Sequence, residues 1–331
     1  MTQQKLTDLP FVDLYVCLEG DGKAHYNRSA TGKIMDQDIN VPPEFAEDVE
    51  NLTNFLRTNF TEDEMGLTYE GIRLRAAKAR TSGGLLWAAL RRINDVAPAL
   101  NKLGFPPALV PHLRNLGQRD GLILLCGATG QGKTTTSSSL LMDFLLTYGG
   151  VAFSIEDPVE YDMEGRRGKS GVCYQIEVQE DHEWALMLKR ALRWHPRYIF
   201  VGEIRTPDAA NQLLRAATSG HLVITTMHAG SIEEALEGML QLAEQSLGDR
   251  ATLLLATGIT AVVHQTITPM GLNAHFYITD PSSPGSPFRS CIREKRIGQT
   301  RTHIDSQSAL LMQSGKIWRE GGSGSIPAKG T

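Results

Sequence analysis

Hydrophobic and polar positions divide the 331-residue chain into two regions with different periodicity. In the first region, residues 69–79 alternate in places between apolar and basic side chains, residues 85–93 form a second strand-like segment, and residues 43–59 place apolar side chains at helical spacing. Alternation is typical of a half-buried strand, and helical spacing of an amphipathic helix. We therefore predict a small α+β domain that ends, with its Gly- and Pro-rich linker, at residue 107.

From residue 109 onward, short and almost wholly apolar segments alternate with helical patterns. The predicted strands are 122–126, 151–155, 198–201 and 222–226, and the predicted helices are 134–147, 181–194, 207–219 and 231–246. Apolar strands that alternate with helices are typical of a parallel sheet covered on both faces. We expect this α/β domain to cover residues 108–320, and we expect the Gly- and Ser-rich tail 321–331 to be disordered.

Composition and charge exclude several classes of protein. A hydrophobic content of 41% suffices for a large core, and a net charge of -4 gives no general reason to expect bound nucleic acid. The N-terminus lacks a signal-peptide pattern, and no segment reaches the ~18 apolar residues of a membrane span, so we expect peripheral membrane association through partner proteins. Four cysteines without C-x-x-C spacing predict buried thiols rather than a zinc site, which fits the cytoplasm.

A phosphate-binding loop is predicted between the first apolar strand and the first helix of the second domain. The segment GATGQGKT matches G-x-x-x-x-G-K-[ST] at every position. Glycines allow the backbone to approach phosphates closely, and a helix N-terminus favours negative charge. We predict that ATP binds here, with Lys133 neutralising the β- and γ-phosphates and Thr134 ligating Mg²⁺; the alternative is a Gly-rich turn that holds no nucleotide. The predicted nucleotide-binding residues are Gly127, Ala128, Thr129, Gly130, Gln131, Gly132, Lys133, Thr134 and Thr135.

Carboxylates follow two of the predicted strands, and ligands bind at the carboxyl ends of strands in open α/β sheets. Glu156, Asp157 and Glu160 follow the second strand, and Glu203 follows the third. We expect Glu156 and Asp157 to contribute to Mg²⁺ and nucleotide binding, and Glu160 to the catalytic set. Because Gly202 stands where an aspartate often holds Mg²⁺, Glu203 is interpreted as the base that activates water. A solvated acidic turn and a helix cap are the alternatives.

Two histidines flank the fourth strand. His228 follows its carboxyl end, where a γ-phosphate can be sensed, and we predict that it takes part in catalysis. His221 begins the strand, so a structural role competes about evenly with nucleotide binding. Arg205 is the cation that the core offers near the phosphates.

Together, the segments GATGQGKT, SIEDPVEY and RWHPRYIFVGEIRTPDAANQLLRAATSGHLVITTMHA resemble the secretion and pilus motor ATPase superfamily. That superfamily includes pilus retraction and assembly motors, type II secretion ATPases and type IV secretion or conjugation ATPases. Its Walker A, Asp, Walker B and His boxes occur here in order over about residues 121–229. The resemblance implies a RecA-like P-loop NTPase core with a smaller N-terminal α+β (PAS-like) domain. Residues 254–267 are similar to a C-terminal helix of the family, with Thr266 in place of an arginine.

The resemblance also implies an assembly and a function. It implies a homo-hexamer at the inner face of the cytoplasmic membrane, in which ATP hydrolysis rotates domains and moves an inner-membrane platform protein. Arg73 and Arg75, which share one face of a predicted strand, are expected to complete the nucleotide site of a neighbouring subunit. The compact length and the missing four-cysteine subdomain favour a retraction or a secretion/conjugation motor. The retraction signature AIRNLI is absent, which favours the secretion/conjugation branch.

Two alternatives remain open at this point. A RecA-like enzyme that translocates nucleic acid, such as a hexameric helicase, shares the P-loop but needs basic or aromatic loops facing a pore. The basic candidates for such loops are Arg166, Arg167, Lys169 and the run 293–296, although basic runs are usually solvated surfaces. A nucleotide-binding scaffold without turnover is the second alternative, and the presence of Glu203 argues against it.

Overall fold

A computed structural model describes residues 4–19, 23–28, 39–93, 96–283 and 285–318. The chain forms two compact units: Met1–Asp95 with Glu160–Asp162, and Val96–Val159 with Met163–Thr331. The boundary therefore falls at Asp95 rather than at residue 107, because the predicted linker belongs to the second unit. Phe105 of this linker is buried, and a Cβ on Gly104 would lie 3.4 Å from Cβ of Leu272. The tail predicted at 321–331 lies outside the described residues.

The first unit is an antiparallel sheet with one long helix, α1 (Ala46–Asn59). Its strands are β1 (Asp13–Cys17), β2 (Ala24–Asn27), β3 (Ile39–Asn40), β4 (Glu64–Tyr69), β5 (Ile72–Arg80) and β6 (Leu86–Arg92), in the order β3-β2-β1-β6-β5-β4. The predicted helix and the strand predicted at 85–93 are confirmed. The strand predicted at 69–79 begins later, at Ile72, because Glu70 and Gly71 have φ values of 45° and 82° and turn the chain back from β4.

The core of the first unit lies between α1 and one face of the sheet. Leu52 and Leu56 of the helix are buried, as are Leu74 and Leu90 of the central strands. The alternation in β5 is observed as predicted, with Ile72 and Leu74 buried and the intervening arginines half-buried.

The second unit is an eight-stranded sheet with helices on both faces. Its strands are β7 (Gly121–Cys126), β8 (Gly150–Glu156), β9 (Gly165–Arg167), β10 (Gly171–Glu177), β11 (Tyr198–Val201), β12 (Leu222–Met227), β13 (Ile259–Thr268) and β14 (Gly271–Ile278), in the order β14-β13-β7-β12-β11-β8-β10-β9. The six central strands are parallel, and the two edge strands are antiparallel to their neighbours. Every residue of β7 and β12 is buried, as expected for strands covered on both faces.

The helices of the second unit begin with α2 (Val110–Asn115), which precedes the sheet. The others are α3 (Lys133–Tyr148), α4 (Asp181–Leu192), α5 (Pro207–Thr218), α6 (Ile232–Leu247), α7 (Arg250–Gly258), α8 (Pro287–Arg293) and α9 (Thr300–Ser314). The four predicted strands and the four predicted helices of this unit are confirmed, with ends that differ by a few residues. Among the described residues, no helix is both long and apolar enough to cross a bilayer. All four cysteines are buried free thiols, as predicted.

The helix inferred for residues 254–267 from the family resemblance is wrong beyond Gly258. Helix α7 ends at Gly258, and the chain continues as β13 beside β7. The segment Ile-Thr-Ala-Val-Val is rich in β-branched side chains, which pack well on a pleated surface and favour a strand. The junction is tight, since a Cβ on Gly121 of β7 would lie 2.5 Å from the carbonyl oxygen of Gly258.

Candidate active site

The P-loop connects β7 to α3 at the carboxyl edge of the sheet. Gly130 and Gly132 adopt φ values of 75° and 71°, a backbone region that strains other residues. Ala128, Thr129 and Gly130 are exposed, and α3 begins directly afterwards at Lys133. The first backbone N–H groups of a helix have no partner within the helix. The loop therefore combines an open backbone with a helix N-terminus, an arrangement that suits phosphate groups.

The ammonium group of Lys133 lies against its own loop. Its Nζ donates to the carbonyl oxygens of Gly127 and Ala128, each at 2.9 Å, and lies 3.2 Å from Nδ1 of His228. Lys133 is buried, with 7% of its surface exposed. These contacts hold a positive charge at the loop that is predicted to bind phosphates, and they bring the Walker A and His boxes together.

The carboxyl end of β13 supports the other side of the P-loop. Nε2 of Gln265 donates to the backbone carbonyl oxygen of Gln131 at 2.6 Å. The backbone N–H of Ile267 donates to the side-chain Oε1 of Gln131. A Cβ on Gly127 would lie 2.6 Å from the carbonyl oxygen of Gln265, so only glycine fits there. Gln265 is not among the site residues predicted from the sequence. Its signal is an amide beside His264, directly after the apolar run Ala-Val-Val; in the structure this amide is buried, which is unusual for a polar side chain.

The two carboxylates at the end of β8 have different environments. Glu156 is 1% exposed, and its Oε1 accepts hydrogen bonds from the hydroxyl of Ser154 and, at 2.9 Å, from Nε2 of Gln175. Asp157 is half-buried, and its Oδ2 lies 3.5 Å from a guanidinium nitrogen of Arg205. Glu156 is therefore anchored to β8 and β10, and Asp157 is the more accessible carboxylate of the predicted pair.

Glu203 lies two residues beyond β11, between two cationic or hydrogen-bonding partners. One oxygen contacts Nε of Arg205, and the other lies 3.4 Å from Nε2 of His228. The segment is tied to β12, because the hydroxyl of Thr226 donates to the carbonyl oxygen of Gly202 at 2.6 Å. Contacts thus run without a break from Lys133 through His228, Glu203 and Arg205 to Asp157.

His221 is not brought to this cluster within its own chain. It precedes β12, and His228 follows that strand, so six strand residues of about 3.3 Å each separate the two rings by roughly 20 Å. Nδ1 of His221 lies 3.3 Å from the hydroxyl of Ser219, and burial lowers the pKa of its imidazole. The predicted role of His221 in nucleotide binding stays a prediction.

Three further predicted site residues belong to the first unit. Glu160 is exposed and lies in the short segment that groups with this unit. Arg73 lies 4.0 Å from Asp162, and Arg75 lies 3.4 Å from Glu64. The roles assigned to these three residues stay predictions.

The residues present fit a magnesium ion that arrives with a nucleotide. Within the part of the chain that the structure describes, no three His, Cys, Asp or Glu side chains are arranged as a metal site. Mg²⁺ is usually held by one or two carboxylates together with phosphate oxygens, rather than by a cage of protein ligands. Thr134, in the first turn of α3, and Asp157 are donors of the required kind.

Comparison with known proteins decides the family. A model of the type II/IV secretion system protein family matches residues 64–303, which is more than half of the chain. The chain belongs to this family. The type IV pilus ATPase PilU of Pseudomonas aeruginosa is 28% identical over 217 residues, which cover 64% of this chain and 55% of that protein. The type II secretion system protein HxcR of the same organism is 31% identical over 225 residues, which cover 66% and 45%. The chain thus spans about half the length of these relatives.

Two solved structures share the fold of this chain. The crystal structure of the pilus retraction motor PilT with bound ADP aligns with a TM-score of 0.69 and 25% identity, over 93% of this chain and 91% of that one. The Legionella pneumophila ATPase DotB aligns with a TM-score of 0.65 and 19% identity, over 93% and 85%. The family resemblance and the predicted fold class, a RecA-like core with a smaller N-terminal α+β domain, are both confirmed.

Proposed function

We propose that this member of the type II/IV secretion family hydrolyses ATP and uses the reaction to move a pilus or secretion machine. The observation that carries the proposal is the connected cluster of Lys133, His228, Glu203, Arg205 and Asp157. The cluster connects the P-loop to side chains that follow the parallel strands β8, β11 and β12. All of them lie at the carboxyl edge of the sheet, where ligands bind in such sheets. The contact with the P-loop favours a nucleotide site over an ion-pair network that only stabilises the fold.

The residues divide the work of phosphoryl transfer. The P-loop backbone and Lys133 bind the β- and γ-phosphates, and Glu203 accepts a proton as water attacks the γ-phosphorus. The bond from that phosphorus to the bridging oxygen of ADP breaks, and ADP and phosphate leave. Thr134 and Asp157 would hold Mg²⁺, which supplies positive charge to the phosphate oxygens when bound. Arg205 contacts one oxygen of Glu203 and helps to orient this carboxylate.

The proposal includes the setting that the family membership suggests. The active species is a homo-hexamer at the inner face of the cytoplasmic membrane, and its partner is a platform protein of a pilus or secretion machine. Arg73 and Arg75 of one subunit complete the site of the next, since an arginine supplied in trans stabilises the spread charge of the transition state. The likeness to a retraction motor over nearly the whole chain supports this setting. The missing AIRNLI signature favours the secretion or conjugation branch of such machines, and we expect no direct contact of the motor with nucleic acid.

The first test is the charge of the P-loop. We expect Lys133→Ala to reduce phosphate release from ATP to background, because the variant removes the ammonium group that lies against this loop. The matched control is Lys169→Ala, at an exposed position beside the β9–β10 turn. Phosphate release by the purified full chain, with circular dichroism to check folding, decides the matter. A folded Lys133→Ala variant with wild-type turnover would rule out the proposed function.

A further inference from the structure

His228 contacts two charged groups of the site through different ring nitrogens. Its Nδ1 lies 3.2 Å from Nζ of Lys133, and its Nε2 lies 3.4 Å from Oε2 of Glu203. An ammonium group can only donate hydrogen bonds, and an ionised carboxylate can only accept them. Nδ1 must therefore accept, so that in the neutral ring Nε2 carries the proton and faces Glu203 at 3.4 Å. The two neighbours together select one tautomer of the neutral imidazole.

The two oxygens of Glu203 have separate partners. Oε1 contacts Arg205, and Oε2 faces the ring of His228. Two partners at different oxygens fix the rotation of the carboxylate about its last bond. A general base must direct a lone pair at the proton it removes, so this rotation affects the rate of the chemical step.

We propose that His228 is a positioning residue that couples the P-loop lysine to the catalytic carboxylate. Lys133 sets the tautomer of His228, and the resulting Nε2–H orients Glu203. Since the same ammonium neutralises the phosphates, any change in the partners of Lys133 alters the ring that holds the base. The inference rests on the proposed function and deepens it. It differs from the expectation drawn from the sequence, in which His228 senses the γ-phosphate directly.

Two substitutions separate the ring nitrogens. The amide of asparagine reaches about the position of Nδ1, and the longer glutamine reaches about the position of Nε2. We expect His228→Gln to retain most of kcat, because its amide can still donate to Glu203. We expect His228→Asn and His228→Ala to lose roughly 10–100-fold in kcat, the usual effect of removing a group that orients a functional ligand. KM for ATP should stay near the wild-type value in all three variants.

A double-mutant cycle tests whether His228 acts through Glu203. Single-turnover hydrolysis is measured for His228→Asn, Glu203→Gln and the double variant. If the histidine works by orienting the carboxylate, its loss should add little once the carboxylate is gone. Additive losses, or an asparagine variant more active than the glutamine variant, would refute the coupling while leaving the proposed function intact. A wild-type chain that does not hydrolyse ATP would refute both.

Nuclear magnetic resonance supplies a readout that does not depend on activity. In protein labelled with ¹⁵N-histidine, the signals that disappear in His228→Gln identify the two nitrogens of this ring. We expect shifts of an unprotonated Nδ1 and a protonated Nε2, and we expect Lys133→Ala to relax this preference. A ring protonated at Nδ1 in the wild-type chain would overturn the inference.

Discussion

The two edges of the parallel sheet carry charged side chains of similar kinds but use them differently. At the amino edge, Arg197 pairs with Asp120 and also donates to the carbonyl oxygens of Gly117 and Arg119, at 3.3 and 3.0 Å. The hydroxyl of Tyr198 donates to the same glycine at 3.1 Å. These bonds tie strand ends to the preceding loop. They resemble the internal hydrogen bonding of any buried loop.

At the carboxyl edge, the side chains of Glu203, Arg205 and His228 contact one another, and His228 connects them to Lys133. Glu203, Arg205 and His228 form a row in which both the histidine and the arginine are about half exposed. Their partners can therefore be exchanged for a ligand without opening the core. The comparison shows that charge alone does not mark a site. Accessibility and mutual contact of the charged groups distinguish the carboxyl edge, which we propose to be the reactive edge, from the amino edge.

The largest effect on turnover is expected from a substitution of Glu203 at the carboxyl edge. We expect Glu203→Gln to reduce kcat by ~10²–10⁴-fold, the range for loss of a general base, while ATP binding survives because the P-loop is untouched. Turnover and binding of a fluorescent ATP analogue are measured on the same preparation. Glu237→Gln, at an exposed position of α6, is the control. Equal losses of binding and turnover would place Glu203 among the primary ligands instead.

At the amino edge, we expect a substitution to lower stability rather than turnover. Arg197→Ala should leave turnover per folded molecule near wild type but lower the free energy of unfolding by about 1–3 kcal/mol, because Asp120 and two carbonyl oxygens lose a charged donor. Urea unfolding with Arg193→Ala as an exposed control measures this difference. Arg197→Lys should recover only part of the stability, since an ammonium lacks the planar fork of donors. A loss of kcat without a loss of stability would contradict the division into two edges.

The sequence predicts the charged residues of the carboxyl edge better than the glutamines that hold them in place. The P-loop, Glu203 and His228 are recognisable because a local motif or an apolar strand precedes each one. Gln265 and Gln175 are not, because each acts on a residue far away in the chain, and that contact depends on the order of the strands. A one-dimensional pattern does not give this order.

The same limit explains the elements that were missed. The hairpin β9–β10 has mixed polar composition and lies at the sheet edge, where burial imposes no clear periodicity. The family resemblance predicts a helix where β13 lies, although the β-branched residues of this segment favour a strand. Local residue chemistry was the better guide at that position, and it would also have drawn attention to the buried amide of Gln265.

The smallest expected effect concerns His221, which lies at the amino edge directly before β12. Burial lowers the pKa of His221 from its ordinary value of 6.5, so the unfolded chain binds a proton more readily than the folded chain. Stability from this group is therefore complete above about pH 6.5 and declines as the pH falls toward the lower, folded-state pKa.

We expect His221→Asn to unfold near the wild-type urea concentration at pH 7.5 and to lose less stability than the wild type between pH 6.5 and pH 5, because asparagine takes up no proton. Turnover per folded molecule should change little, since about 20 Å of strand separates His221 from the P-loop edge of its own chain. His182→Asn, at an exposed position of α4, controls for the removal of an imidazole. If turnover fell while the pH dependence of unfolding stayed that of the wild type, His221 would belong with His228 in nucleotide chemistry, through a neighbouring subunit. The amino edge would then be a second reactive edge.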